Sequence, residues 1–331
     1  MKSLHLRAAG FTAAVILCSA SAAFAGGAEK PLLSLGDGNI VFSGGAGVLG
    51  LQADEYVYAA SGSSNAVSHL IWQSVSPMLT GSMDVKLPKD WTFSVQADLS
   101  GLGDGYMEDY DWFGYQFSDF DPNDWTHRSQ HPNTNLDWYF HGSMLVGRDF
   151  KLGQSGTVNV NAGLQYTDVQ WTAIGGSYVY SDSDTGPVVC HLRGCVGTFP
   201  DTPGITYHQQ LPALVGGADF STPYGAWTLG AGAHAGFIIG AHTTDVHWLR
   251  SRTVFDTLGM APIVSVSAEA SYKFSEKTSL VLNGKLDKTF TARGNAYYDY
   301  YDGVTPSFSL TDLNGDGLLS ASLSASLKGS F

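Results

Sequence analysis

The sequence runs to 331 residues with a formal net charge of −13. That acidity argues against nucleic acid or anionic lipid as partner and favours cations, metal ions or basic peptides drawn by a negative field. The composition, 44% hydrophobic and 12% aromatic with 40 glycines, excludes a disordered chain, and no repeat with a period of roughly 20–50 residues divides it.

Residues 1–25 read as a secretory signal: Lys2 and Arg7 supply a positive start, Ala8 to Cys18 an apolar stretch, and Ala23-Phe24-Ala25 a cleavage site. Residues 26–331 then form a single mature domain. Nothing after Gly26 offers the ~18 continuous apolar residues of a spanning helix. The mature chain instead alternates. Phe93, Val95, Ala97 and Leu99 oppose Ser94, Gln96, Asp98 and Ser100; Val158 to Thr167 alternates as cleanly; Trp227 to Ile239 sets apolar residues against Thr228, Gly230, Gly232 and His234. The last segment, Leu319 to Phe331, places Leu319, Ala321, Leu323, Ala325, Leu327 and Phe331 on one side and five serines with Lys328 opposite. An apolar side so long, backed by one so polar, suits lipid outside and a wet lumen inside, which predicts an all-β transmembrane antiparallel barrel.

Short turns at Pro88-Lys89-Asp90, Gly153 to Gly156, Thr222 to Gly225 and Ser275 to Lys277 read as periplasmic hairpins, and long connections near 59–66, 107–128, 182–204, 243–252 and 298–317 as outer loops. Counting between them predicts ten strands with both ends periplasmic. Ten strands leave a narrow lumen, which inward Gln96, Asp98, Gln165 and Lys328 would fill, so a diffusion porin is disfavoured.

The acid gathers at the outer end. Residues 104–124 hold Asp104, Glu108, Asp109, Asp111, Asp119, Asp121 and Asp124 without a lysine or arginine. Cys190 and Cys195, with four residues between them, read as a small disulfide loop of an oxidising compartment; a metal site using His191 would want more ligands than lie nearby. No H-E-x-x-H spacing occurs. Asp312-Leu-Asn-Gly-Asp-Gly317 opens like a calcium loop, but Leu323 stands where a bidentate glutamate is needed, so a hairpin loop is the better reading.

Two tripeptides could carry chemistry. Asp109-Tyr110-Asp111 sets two carboxylates on one side of an extended segment, and Asp245-Val246-His247 sets a carboxylate beside an imidazole. An aspartate can hold a histidine's tautomer so that it takes a proton from water, and two close carboxylates compete for one proton. Their phase is wrong, however: in the registers of Phe93–Leu99 and Trp227–Ile239 odd residues face lipid. A slip at Gly101–Gly105 and another near Gly240 are needed to turn the four residues inward.

The order of these motifs resembles the omptin family of outer-membrane proteases. Asp109 to Trp112, Asn123 to Thr126, Ser129-Gln-His-Pro-Asn-Thr134, Trp171 to Tyr180 and Asp245-Val-His247 match the family pattern, from about Gly47 to Phe331. The resemblance implies a monomeric barrel in a Gram-negative outer membrane, with a cleft at the extracellular rim that cuts cationic peptides and proteins beside basic residues. It implies His247 as base, Asp245 as its orienting acid, Asp109 as the water's second holder with Asp111 as its pair, and supporting roles for Ser129 and His131. Glu55 matches an acid at the floor of the pocket for a basic side chain. Its usual acidic companion is replaced by Thr243, which weakens a strict arginine or lysine preference; Asp54 and Asp104 are the acids available to compensate. The basic residues with which relatives grip lipopolysaccharide correspond to Asp168 and Gln210, so activation by that lipid is not expected and no cofactor is implied. The rival reading is a catalytically silent barrel of the same shape that adheres or binds.

Overall fold

The computed structural model describes residues 39–113, 120–182 and 190–330; the signal reading for 1–25, Asp119 and Phe331 lie outside them. Fifteen strands run in chain order: β1 (Ile40–Tyr58), β2 (Ala66–Lys86), β3 (Trp91–Ser100), β4 (Gly103–Asp111), β5 (His127–Leu152), β6 (Gly156–Ile174), β7 (Ser177–Tyr180), β8 (Cys195–Thr198), β9 (Pro203–Tyr224), β10 (Trp227–Ile238), β11 (His242–His247), β12 (Arg252–Leu258), β13 (Ala261–Lys273), β14 (Thr278–Tyr300) and β15 (Phe308–Ser330). Several are halves of one interrupted stave. Joining β3 to β4, β6 to β7, β8 to β9, β10 to β11 and β12 to β13 gives ten staves in an up-and-down order, each antiparallel to its neighbours. β15 pairs with β1 from Val41↔Ser330 to Val57↔Asn314, which closes the cylinder.

The alternation sorts the faces as physics requires. Leu323 and Leu327 stand 72% and 60% exposed to the surroundings while Ser320 and Ser326 are buried. Val75, Leu79, Val146, Val160, Leu164, Phe237 and Val266 continue the exposed apolar band around the wall. Trp227 packs at 5.0 Å from Tyr272, itself 5.4 Å from Phe274, at the end that carries the short turns. Toward the long-loop end the outer wall becomes polar. Gln73 donates to Gln52 at 3.0 Å, His69 meets Asp54 at 3.1 Å and Gln130 donates to Glu108 at 2.7 Å. Hydrocarbon cannot cover such a wall, so these strand ends stand above the bilayer.

Inside, Trp72, Trp171 and Tyr207 are fully buried and lie 5.5–6.3 Å apart as a stack of rings across the lumen. Beneath them the interior is polar and satisfied: Thr80 donates to Asp98 at 2.6 Å, Lys285 lies 3.2 Å from Asp287, and Asn161 donates to Asp219 at 2.6 Å. The lumen is packed by side chains. Replacing Trp72 with alanine should leave a void in the ring stack and cost about 3–5 kcal/mol, read as a lower urea midpoint of the detergent-folded barrel.

The predicted outer loops are too long. Residues 107–111, 243–247 and 308–317 belong to β4, β11 and β15. The Asp312–Gly317 segment is therefore strand, with Asp312 at φ 57° as a local irregularity, and not the hairpin loop its composition suggested. Above the membrane both faces of a strand meet water or a polar cleft, so the apolar–polar signal that marks a strand fades there while the backbone pairing continues. Cys190 and Cys195 are joined as a disulfide.

Candidate active site

Both phase slips that the sequence demanded are present. Between β3 and β4, Leu102 adopts φ 59° and is thrown out of the ladder, 97% exposed. Gly103 beside it lies against β2 so closely that a Cβ would fall 2.5 Å from the Ser76 Cβ. Below this point odd residues of the stave face outward; above it Met107, Asp109 and Asp111 face inward and are buried. Between β10 and β11, Gly240 takes φ +60°, a conformation that costs glycine little. Beyond it Thr243, Asp245 and His247 turn inward and are buried. A one-residue slip exchanges faces for every later residue of the stave, which is how a lipid-facing register becomes a rim-facing one.

The two tripeptides stand on separate staves. On β11, the His247 Nε2 is ion-paired with the Asp245 carboxylate, and the Arg252 guanidinium on β12 comes within 3.2 Å of the same nitrogen. A proton held on Nε2 toward Asp245 would leave Nδ1 as the nitrogen open to accept one. On β4, Ser68 donates to Asp109 at 3.3 Å. Burial raises the Asp109 carboxyl above the ordinary aspartate range, while the charges of Arg250 and His247 draw it back and Asp245 opposes them. Asp111 is pushed well above that range, first by burial and then by repulsion from Asp109. The charges of His247 and Asp245 thus act on Asp109, which ties the two staves into one electrostatic unit.

Beside Asp109 on β5, Ser129 lies 3.0 Å from His131 Nε2. The other ring nitrogen is 2.6 Å from the Gly175 carbonyl and the ring stacks on Phe199 at 5.2 Å. This pair is held by the neighbouring staves, through the break between β6 and β7 and the residues between β8 and β9.

Glu55, on β1 in register with Asp316 and Leu70, is 3% exposed. Thr243 also faces the interior, and its hydroxyl donates to Asp256 at 2.9 Å and to Asp316 at 3.4 Å. The acids named as compensation for Thr243 do not reach this place. Asp54 is the strand neighbour of Glu55, so it points out of the barrel, where it meets His69; Asp104 is exposed on the outer face of β4. The acids whose charges act on Glu55 are Asp245 on β11, Asp316 on β15, Asp256 on β12 and Asp109 on β4; the catalytic motifs had indicated Asp245 and Asp109 but neither Asp316 nor Asp256. On the outer wall, Asp168 accepts from Trp138 at 2.6 Å, from Tyr166 at 3.0 Å and from Gln210 at 3.4 Å, and lies 2.9 Å from His208. Among the described residues no cluster of three His, Cys, Asp or Glu is arranged to hold a metal.

Closed ten-stave wall, filled lumen and an acid-lined rim carrying an imidazole define an outer-membrane barrel with an acidic outer mouth. Residues 37–323 match the model of the Omptin family, and the chain belongs to that family. Protease 7 of Escherichia coli O157:H7 is 26% identical over 295 residues, covering 84% of this chain and 86% of that protein. The outer membrane protease OmpP of E. coli K12 is 25% identical over 78% of this chain and 80% of its own length. The crystal structure of the outer membrane protease OmpT from E. coli superimposes with a TM-score of 0.79, at 24% identity, over 90% of this chain and 99% of that one. By family and fold the protein is an outer-membrane protease of a Gram-negative bacterium.

Proposed function

We propose that the protein is an endopeptidase that hydrolyses cationic peptides and exposed protein segments beside basic residues, with water as the nucleophile, the aspartyl type of omptin mechanism. The observation that carries this reading is the pair of slips at Leu102 and Gly240, which turn an imidazole–carboxylate pair and a carboxylate pair inward on different staves, near enough that the charges of His247 and Asp245 act on Asp109. His247, oriented by Asp245, takes a proton from a water that Asp109 holds by hydrogen bonding. The hydroxide formed attacks the peptide carbonyl, and the imidazolium returns its proton to the leaving amine. Asp111, kept protonated beside Asp109, lets that carboxylate stay charged. Glu55 receives the basic side chain. Ser129 and His131 support the stave that carries Asp109's neighbours.

The acidic rim draws cationic substrates from outside. The outer wall offers no basic grip at Asp168 and Gln210, since Asp168 already accepts three hydrogen bonds, so we read turnover as independent of lipopolysaccharide, without a cofactor and by a monomer. Detergent-folded protein incubated with a fluorogenic dibasic peptide should show cleavage of equal rate with and without added lipopolysaccharide. No cleavage in either condition would leave the silent, adhesive barrel. Ser129→Ala should keep cleavage within about tenfold of wild type, because a supporting hydroxyl contributes on the order of one hydrogen bond. A loss of a thousandfold would make Ser129 the nucleophile instead.

A further inference from the structure

Thr243 places a neutral hydroxyl where the family's pocket has an acid, yet the same spot is ringed by carboxylates from two other staves. Asp316 accepts from Tyr207 and from Thr243. Asp256 accepts from Thr243 and, at 2.9 Å, from Asn314. All these donors are neutral. Glu55 completes the group, and its Oε2 is buried with no hydrogen-bond partner. Two further acceptors in the same neighbourhood, Asn314 Oδ1 and Gln209 Oε1, are equally buried and unpartnered, in residues that are 1% and 0% exposed. Buried acceptors in native proteins are almost always paired. These unpartnered acceptors, together with the carboxylates whose charges act on Glu55, suit a ligand that brings donors and positive charge.

We propose that Asp256 and Asp316, with Glu55, form the cation-binding floor of the substrate pocket, restoring from β12 and β15 the charge missing at Thr243, and that they favour a guanidinium over an ammonium. The preference follows from the acceptor geometry: several separate oxygens await donors, and arginine presents five in a rigid planar fork while lysine presents three at one point. The inference rests on the proposed peptidase reading for the identity of the ligand as a substrate side chain. It differs from that reading in naming which acids select it.

Three bare charges cannot stand together at this buried place. Burial and the charges of neighbouring acids push Glu55 and Asp316 well above the usual carboxylate range, and burial with the charge of Asp245 lifts Asp256 up to about 7 against the hydrogen bonds of Thr243 and Asn314. Asp245 and Asp109 face them as further acids, and Thr243, Asn314 and Tyr207 as neutral donors. A cation entering therefore displaces protons, and its binding strengthens as pH rises.

The test compares quenched peptides that carry arginine, lysine or citrulline at the cut residue, citrulline being arginine's uncharged counterpart. Wild type should favour arginine over citrulline by on the order of 100-fold in kcat/KM, with lysine between them and the ratio growing from pH 6 to pH 8. Asp316→Asn and Asp256→Asn should each lower the arginine-to-citrulline ratio about tenfold, and the double variant should nearly erase it. Thr243→Asp in the double variant should restore it, which a merely structural loss would not allow. Variants whose ratio equals that of wild type, in barrels that keep their heat-resistant gel migration, overturn the proposal. Argininamide alone should raise the unfolding midpoint of wild type and not of the double variant. If wild type cuts no peptide, the peptidase reading fails and this midpoint decides the pocket: an equal shift in both proteins, or none in either, rejects it.

Discussion

His247→Ala should lose cleavage of a cationic peptide by roughly 10³–10⁴-fold, with the barrel's heat-resistant migration and urea midpoint unchanged. The size reflects its role. A positioned general base contributes about 10²–10⁴-fold, and here the same ring must also return the proton to the leaving amine, so both halves of the reaction suffer. Stability should not change with it, because His247 lies at the end of β11, beyond the ring stack of Trp72, Trp171 and Tyr207 that fills the lumen. Asp245→Asn is the sharper variant. It keeps the volume but donates where the carboxylate accepted, so the imidazole loses the partner that fixes its proton on Nε2. A loss approaching that of His247→Ala is expected, since a correctly placed ring in the wrong tautomer is no base. Arg252, 3.2 Å from Nε2, would then be left beside an imidazole with no acid opposite. Stopped cleavage in a properly folded His247→Ala protein supports the assignment. Activity within tenfold of wild type would sink it, because His247 is the imidazole whose charge acts on Asp109.

Much of this was legible in the chain, and the reasons for the rest are physical. The ten staves could be counted because lipid and lumen impose opposite polarity on alternate residues, as Leu323 and Ser326 show. That contrast exists only where lipid does. Above it Asp109, Asp245 and Asp316 sit in regular strands that composition alone reads as loop, because water faces both sides. The two slips announced themselves as contradictions between parity and chemistry, and Leu102 and Gly240 are where those contradictions resolve. Comparable slips in β5 between Leu136 and Trp138, and in β14 between Thr289 and Ala292, carried no motif to be contradicted and gave no sign. The pocket acids obey the same logic. Asp54 is disqualified by standing next to Glu55, since adjacent strand residues face opposite ways. Asp316 has the inward parity of Ser320 and could have been reached by carrying the terminal alternation four residues further back, through a segment whose asparagine and glycines suggest a turn. Asp256 offered no such route: its side depends on the break between β12 and β13, which only the pairing reveals.

The carboxylate pair should prove unequal. Asp109→Asn is expected to cost roughly 10²–10³-fold in kcat/KM, and Asp111→Asn less than about tenfold. The asymmetry comes from where the shared proton rests. Burial raises both carboxyls, but Asp111, repelled by Asp109, is pushed well above the ordinary range while Arg250 and His247 pull Asp109 back, so Asp111 is the one that holds the shared proton. Asparagine is close in shape to a protonated carboxyl, so at position 111 it replaces like with like; at position 109 it removes the negative charge that holds the water. The pH dependence separates this picture from an evenly shared proton. Cleavage should fall as pH drops through the ionisation of Asp109, because only the carboxylate serves. Arg250→Gln removes the cation that lowers that carboxyl, so its folded value rises and the acid limb of the kcat/KM profile should move to higher pH. Asp111→Asn should leave the limb in place, since its neighbour is neutral in both proteins when Asp109 titrates. An evenly divided proton would instead move the limb to lower pH in Asp111→Asn, as repulsion is removed, and would make the two asparagine variants equally poor enzymes; either result would reverse the assignment of roles within the pair.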